Sequence, residues 1–348
     1  LAGSVAASLA TTRSPRCSRS KNLDLARWLM VPRRSTTNSF AYAGRWTGRV
    51  VAIIKHLLHG LFGTIARKQL ADRVSELARR RLRTLELRHI GIRDRNRTVA
   101  AAALILSVMA GRDPLDKTAM DAPPADYVGL LDKGVKGLKI AWSPDLDGLR
   151  VDPEVAELAQ KGAQAFEGLG ATVEQVKCNF MDTHEMIRVM WAAHEAGIYG
   201  EHLAKWRDKM DPGLVACIAD GYEVTMEQYI QWRGRKLAFC DSVWPLFEKY
   251  DLLLTPSLSV AAFPVNRLNP EHWPQHVWDW LPWASFSYPF NFTGRPASSV
   301  PCGFTPAGLP VGLQLVGRLR DDLTVLQASA AFEKARPWAD RRPAVFAG

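Results

Sequence analysis

The sequence has no hydrophobic run long enough to cross a membrane. None of its apolar runs reaches about 18 residues, although the chain is 348 residues long. The closest stretch, residues 50–66, is interrupted by Lys55, His56 and His59. Because a spanning helix needs about 20 consecutive, mostly apolar residues, the sequence predicts no membrane span.

Cysteine is scarce, and no metal-binding pattern is present. The five cysteines are an odd number and none has the Cys-x-x-Cys or Cys/His ligand spacing; they are Cys17, Cys178, Cys217, Cys240 and Cys302. We predict ordinary thiols in a reducing compartment. His272 and His276 are four residues apart, but Pro274 between them opposes the helix that would bring them together. We therefore predict no metal site.

Acidic residues are scarce only in the first part of the chain. Residues 1–98 contain 21 Lys and Arg against 5 Asp and Glu, whereas the other 250 residues contain 24 against 30. The net charge of +10 therefore arises entirely in the first part. We divide the chain into a basic segment, residues 1–87, and a domain, residues 88–346. For the basic segment three hypotheses remain: an organellar targeting segment, an arm that binds nucleic acid or anionic lipid, or a segment without a role.

From about residue 98 onward, the pattern indicates α/β structure. A strand over 138–143, a helix with Asp152 as its N-cap and Pro153 in its first turn, and a strand over 171–177 predict a parallel β–α–β unit. The buried face of this helix is predicted to comprise Val155, Leu158, Ala159, Ala163 and Phe166.

Further elements follow from the same patterns. Helices are predicted over 98–111, 183–207 and 224–249, and a terminal helix is predicted to begin with Asp321 or Asp322 as its cap. The apolar run 251–255 is typical of a strand buried on both faces. Residues 298–303 and 311–317 are further strand candidates.

Several segments, in order, resemble the amidase signature family. "PFNFTGRPASSVPCGFTPAGLPVGLQLVGRLRDDLTVLQASAAFE" resembles the family's C-terminal region, and "HIGIRDRNRTVAAAALILSVMAGRDPLD" resembles one of its helices. The resemblance extends from about residue 87 to residue 346. It implies an α/β fold with a mixed central sheet flanked by helices, incomplete at the N-terminus. It also implies hydrolysis of a carboxylic amide to acid and ammonia through an acyl-serine, with no metal or organic cofactor.

The catalytic motifs of that family are not visible in this sequence. In the family a Lys acts as base, a second Ser relays the proton, and the nucleophilic Ser lies in a glycine-rich loop that binds the oxyanion. Neither "GGSSGG" nor "G[ST]DxGGS[IVL]R" occurs, and the opening "LAGSVAAS" matches only in its first four residues. Ser4 precedes the motif's Asp position and Ser8 lacks flanking glycines, so no catalytic residue is assigned. As the chain has no initiating Met, we expect a fragment.

The substrate pocket is predicted from the same resemblance. We expect Ser298 and Ser299 to form hydrogen bonds and pack beside the pocket rather than act as nucleophiles. The stretch "EHWPQHVWDWLPWASFSYPF", residues 271–290, is expected near the acyl-binding side, where aromatic walls suit an apolar acyl group. The alternative is a surface loop that packs on its own domain. The candidate substrate-pocket residues are Trp280, Trp283, Phe286, Asn291 and Thr293.

Three functional hypotheses remain at this point. The first is an amidase-family hydrolase with a small-molecule amide as substrate. The second is a non-catalytic amidase remnant that binds a ligand or partner. The third, nucleic-acid binding, depends only on the basic segment, and nucleic acid is not an expected partner of the domain. A homodimer is the candidate assembly, and the cytoplasm is the expected compartment, with organellar targeting as the alternative.

Overall fold

The computed structural model describes residues 98–112, 119–120, 125–180 and 183–341. The basic segment 1–87, its boundary with the domain, Ser4, Ser8 and Cys17 lie outside these residues. The predicted N-terminal helix is confirmed as α1, which begins after Thr98, whose side chain accepts a hydrogen bond from the Ala101 N–H.

The elements alternate between strands and helices, as predicted. In the part of the chain that the structure describes, the strands are β1 (Lys139–Trp142), β2 (Thr172–Gln175), β3 (Leu252–Pro256), β4 (Ala297–Phe304) and β5 (Pro310–Gly317). The α-helices are α1 (Val99–Met109), α2 (Pro153–Gly168), α3 (His184–Tyr199), α4 (Leu203–Trp206), α5 (Pro212–Tyr222), α6 (Met226–Lys249), α7 (Tyr288–Thr293) and α8 (Asp322–Ala335). Short 3-10 turns cover Leu131–Lys133, Gly200–His202, Arg207–Lys209 and Leu281–Ala284.

The described strands form one mixed sheet in the order β2-β1-β3-β5-β4. Strand β1 is parallel to both β2 and β3, so the predicted parallel β–α–β unit is confirmed. Strand β5 is antiparallel to β3 and to β4. The chain thus returns through the Trp-rich stretch 271–290 to an antiparallel hairpin at one side of the sheet.

Alternating side chains of β3 divide the core between the two faces of the sheet. Leu252 and Leu254 pack with α2 and α8 on one face, while Leu253 packs with α6 and Phe286 on the other. All three leucines are fully buried. Because both faces of β3 are covered, its sequence is apolar at consecutive positions rather than alternating.

Two helix predictions need correction. The helix predicted over 183–207 is interrupted: α3 ends at Tyr199 and a 3-10 turn at Gly200–His202 precedes the short α4. Helix α5 was not predicted as a helix, although its start has a clear signal. Asp211 accepts a hydrogen bond from the Leu214 N–H, and Pro212 occupies the first helical position, where its missing N–H costs nothing.

Among the described residues, no helix is both long and apolar enough to cross a membrane.

Candidate functional site

The Trp-rich stretch, residues 271–290, connects the end of β3 to α7 and borders a cavity of about 390 Å³. We call this the Trp283 cavity. It lies where β3 ends and β5 begins, and most of its walls are apolar. Its lining residues are Val155, Ser257, Leu258, Val260, Ala261, Ala262, Phe263, Trp283, Ser299, Pro310, Val311 and Gly312.

Two serine hydroxyls form a pair in this cavity. Ser257 follows β3 and Ser299 lies on β4, and their Oγ atoms are 2.6 Å apart. Gly312 on β5 faces both of them: a Cβ at this position would lie 2.7 Å from each Oγ. A glycine is therefore needed here for the close approach of the two hydroxyls.

Neither serine of this pair has a base beside it. Within the described part of the chain, no lysine, histidine or carboxylate is hydrogen-bonded to Ser257 or Ser299. A serine hydroxyl becomes a nucleophile only when an adjacent base accepts its proton. Ser298 is likewise bonded to another hydroxyl, that of Ser329 on α8, at 2.7 Å. The hydrogen-bonding role predicted for Ser298 and Ser299 is confirmed.

The predicted pocket residues lie in different environments. Trp283 lines the Trp283 cavity, where its ring packs edge-on against Phe263 at a centroid distance of 5.6 Å. The Trp283 indole N–H donates to the Leu268 carbonyl at 3.1 Å. Trp280 stacks behind Trp283 at 5.4 Å and meets Trp191 of α3 edge-on. The two tryptophans thus form a continuous aromatic wall.

The other three predicted residues do not line this cavity. Phe286 is fully buried in the core, and its carbonyl accepts a hydrogen bond from the Gln314 side chain at 2.9 Å. Asn291 is exposed on α7. Thr293 lines a second cavity, beside Arg295. Their role in a substrate pocket stays a prediction.

Asp152 fixes one end of the Trp-rich stretch. It stands at the N-cap position of α2, as predicted, but its carboxylate makes no capping hydrogen bond. It accepts instead from His272 Nε2 and from Trp273 Nε1, each at 3.0 Å. The carboxylate also lies at the positive end of the α2 dipole, which favours its charged form. Sequence spacing gives no signal of this contact, because the partners are about 120 residues apart.

A second carboxylate, Asp279, holds the middle of the stretch. Its side chain is only 10% exposed and lies 3.2 Å from His184 Nε2 and 3.6 Å from Arg188 Nε, both on α3. It also accepts a hydrogen bond from the Leu281 N–H at 3.2 Å. Burial acts to raise the pKa of Asp279, but His184, the Leu281 N–H and Arg188 together outweigh burial and lower that pKa below its usual value.

Helix α5 contributes to the same anchoring network. Asp220 accepts from the Trp278 indole N–H at 2.9 Å and from Arg188 at 3.2 Å. The Arg188 guanidinium also lies over the Trp278 ring, 5.4 Å from its centroid. The Trp-rich stretch is therefore tied to α3 and α5 and packs on its own domain, while Trp283 still faces a cavity. Both hypotheses for the stretch hold in part.

The two histidines considered as metal ligands have other partners. His272 is paired with Asp152, and His276 Nδ1 accepts the backbone N–H groups of Trp278 and Asp279. Within the described ranges, no group of three or more His, Cys, Asp or Glu side chains is arranged to hold a metal.

The described cysteines are free thiols with little tendency to ionise. Burial raises the pKa of Cys178 to about 12, that of Cys217 to about 12 and that of Cys302 to about 11. Since the thiolate is the nucleophilic and metal-binding form, these three thiols are unsuited to either role.

Comparison with known proteins gives consistent similarities. The family model described as Amidase matches residues 83–326. An acylamidase from Rhodococcus erythropolis is 36% identical over 262 residues, which are 71% of this chain and 53% of the acylamidase. The A subunit of a glutamyl-tRNA(Gln) amidotransferase from Moorella thermoacetica is 32% identical over 275 residues, which are 71% of this chain and 54% of that protein.

A solved structure agrees with this fold. A bacterial aryl acylamidase of the amidase signature enzymes superposes with a TM-score of 0.62 at 27% identity, covering 71% of this chain and 54% of the other. The predicted fold, a mixed sheet flanked by helices, is thereby confirmed. The chain spans about half the length of the curated relatives it matches.

Proposed function

The chain belongs to the amidase family, and we propose that it acts on a carboxylic amide whose acyl group lies in the Trp283 cavity. The reaction that family membership suggests is hydrolysis of the amide C–N bond through an acyl-serine, which yields an acid and ammonia. The observation that carries the proposal is the cavity itself, with an aromatic wall and two polar groups at its base.

The lining of the cavity supports an apolar acyl group as ligand. The rings of Trp283 and Phe263 and the side chains of Val155 and Leu258 offer apolar contact. Ligand sites of this kind combine apolar walls with a few polar groups that fix orientation. We propose that the Ser257 and Ser299 hydroxyls provide the polar contacts, and that Trp280 supports Trp283 from behind.

We propose that the described part of the chain binds the substrate but does not supply the nucleophile. The serines that border the cavity are bonded to other hydroxyls and lack a base. Attack on an amide requires an activated nucleophile and donors for the oxyanion. Binding of the acyl group is the role that these residues can perform with the contacts they have.

A second candidate function is ligand binding without turnover. The observation that favours it is the sequence "LAGSVAAS", in which Val5, Ala6 and Ala7 replace the acidic and glycine residues of the family's nucleophile loop. Glycine allows a backbone to approach a reacting carbonyl closely, and alanine restricts that approach. Both candidates share the Trp283 cavity as binding site and differ in whether any serine is activated.

Binding of a short amide series to the full chain tests the proposed site. We expect phenylacetamide to bind more tightly than acetamide in calorimetric titration, because its ring can be buried against Trp283. Replacing Trp283 by Ala should weaken phenylacetamide binding about tenfold or more, since burial of one aromatic side chain contributes roughly 1.5–3 kcal/mol. Acetamide binding should change little.

Trp244→Ala is the matched control, because Trp244 lines the second cavity instead. It should leave phenylacetamide binding unchanged. Equal binding of both amides to the wild-type chain, or equal losses in the two tryptophan variants, would remove the Trp283 cavity as the acyl site.

We also propose a cytoplasmic location and a homodimer. The four described cysteines are all free, which suits a reducing compartment. One relative is named as part of an amidotransferase with more than one kind of chain, so assembly with a further chain has a precedent among similar proteins. Light scattering of the full chain at the mass of one copy would rule out the homodimer.

A further inference from the structure

A second cavity, of about 370 Å³, lies between α6 and the turn that follows α7. We call it the Arg295 cavity. It is separate from the Trp283 cavity and shares no lining residue with it. Its lining residues are Cys240, Asp241, Trp244, Pro245, Thr293, Arg295 and Leu319.

Arg295 is buried without a carboxylate partner. Only 9% of the residue is exposed, and its guanidinium lies over the ring of Phe247 at 3.9 Å and near that of Trp244 at 5.8 Å. Within the described ranges, no carboxylate oxygen comes within 4.0 Å of its nitrogens and its guanidinium donates no hydrogen bond. Burial lowers the pKa of Arg295, so the surroundings compensate its charge incompletely.

This arrangement has an energetic cost that calls for a ligand. An isolated buried cation is expensive, and buried charges in proteins are normally paired and hydrogen-bonded. Aromatic faces offset part of that cost through cation–π attraction. They satisfy none of the five N–H donors of the guanidinium, which match the two oxygens of a carboxylate.

The rest of the lining indicates what else the ligand carries. Trp244 is 54% exposed and Leu319 is 44% exposed, so two large apolar side chains border the cavity and remain open to solvent. An apolar group attached to the anion would cover them. Asp241 also lines the cavity and would repel a second negative charge. A single carboxylate therefore fits better than a phosphate dianion.

We propose that the Arg295 cavity binds a small carboxylic acid, with its carboxylate on the Arg295 guanidinium and its apolar body against Trp244 and Leu319. The proposal does not depend on amide hydrolysis.

Phenylacetate is a suitable probe of this site in the full-length chain. We expect saturable binding in calorimetric titration, and weaker binding of phenyl phosphate, which carries more negative charge. Arg295→Met should reduce phenylacetate affinity about tenfold or more, because the charge-assisted hydrogen bonds are lost.

Two control variants locate the effect. Arg235 lies on α6, is exposed, and covers the Trp232 ring at 4.5 Å, so Arg235→Met removes an arginine on an aromatic ring outside the cavity. Trp283→Ala alters the other cavity. Both variants should bind phenylacetate as the wild type does. Unchanged affinity in Arg295→Met, or an equal loss in Trp283→Ala, would overturn the proposal.

A measurement on the wild-type chain covers the case in which Arg295→Met does not fold. The indole N–H signal of Trp244 in the NMR spectrum can be assigned by its loss in Trp244→Phe. That signal should shift as phenylacetate is added, with the same midpoint as the calorimetric titration. An unshifted Trp244 signal at saturating phenylacetate would exclude this cavity as the binding site.

Discussion

At the scale of single residues, two carboxylates hold the Trp-rich stretch in place. Asp152 binds its beginning through His272 and Trp273, and Asp279 binds α3 from its middle through His184. Both carboxylates are mostly buried, and each is neutralised by polar hydrogens or a cation. Since a buried charge left alone is costly, removing one member of such a pair destabilises the fold.

The contribution of Asp279 should depend on pH in a defined direction. Its folded-state pKa is lowered, so its contribution to stability is complete above the unfolded pKa and is lost as the pH falls through the folded pKa. At about pH 6, Asp279→Asn should reduce the free energy of unfolding by roughly 1–3 kcal/mol. The difference between variant and wild type should shrink as the pH falls below about 4.

Urea unfolding at a series of pH values measures this difference. Asp208→Asn is the control, because Asp208 is exposed and forms no ion pair with other described residues. It should change stability by less than about 0.5 kcal/mol at every pH. A constant difference for Asp279→Asn down to the lowest pH at which the wild type stays folded would contradict the assigned role of the carboxylate.

At the scale of elements, close packing between α3 and α5 supports the network around the Trp-rich stretch. Gly221 on α5 faces α3 so closely that a Cβ there would overlap the Ala192 carbonyl and lie 2.8 Å from the Ala196 Cβ. Gly197 on α3 has open space around the same position. The two glycines therefore have different roles in similar helices.

A pair of Gly→Ala variants separates these roles. Gly221→Ala should lower the free energy of unfolding by about 1–3 kcal/mol, because the methyl group forces the helices apart. Gly197→Ala should raise it by roughly 0.5–1 kcal/mol, because alanine favours the helix and meets no neighbour. Chemical denaturation checks both values. Destabilisation of similar size in both variants would mean that helix packing is not the cause.

The element pattern was largely predictable from the sequence because it depends on local signals. The apolar face of α2 and the doubly buried β3 follow from hydrophobic period and run length. The start of α8 follows from the Asp321 side chain, which accepts the Thr324 N–H. The break at Gly200 was missed, since the 3-10 turn there continues a helical pattern without a proline or a strong cap.

At the scale of the whole molecule, the described chain is a sheet covered on both faces, with two cavities beside its antiparallel hairpin. The amide-binding role depends on the cavity at the end of β3, and the serine pair, Ser257 and Ser299, lies within it. Trp283 was predicted from the resemblance. The partners Asp152 and Asp279, and the unpaired Arg295, could not be, because their contacts join residues distant in sequence and have no spacing signal.

The central claim is that the described part of the chain binds an amide but contains no activated serine. Labelling of the full, folded chain with a fluorophosphonate serine probe tests it most directly, with mass spectrometry to locate the label. The heat-denatured chain serves as the background control and an active amidase as the positive control. We predict no labelling above background on any serine of the described residues. Heat-sensitive labelling of Ser257, Ser298 or Ser299 would contradict the claim.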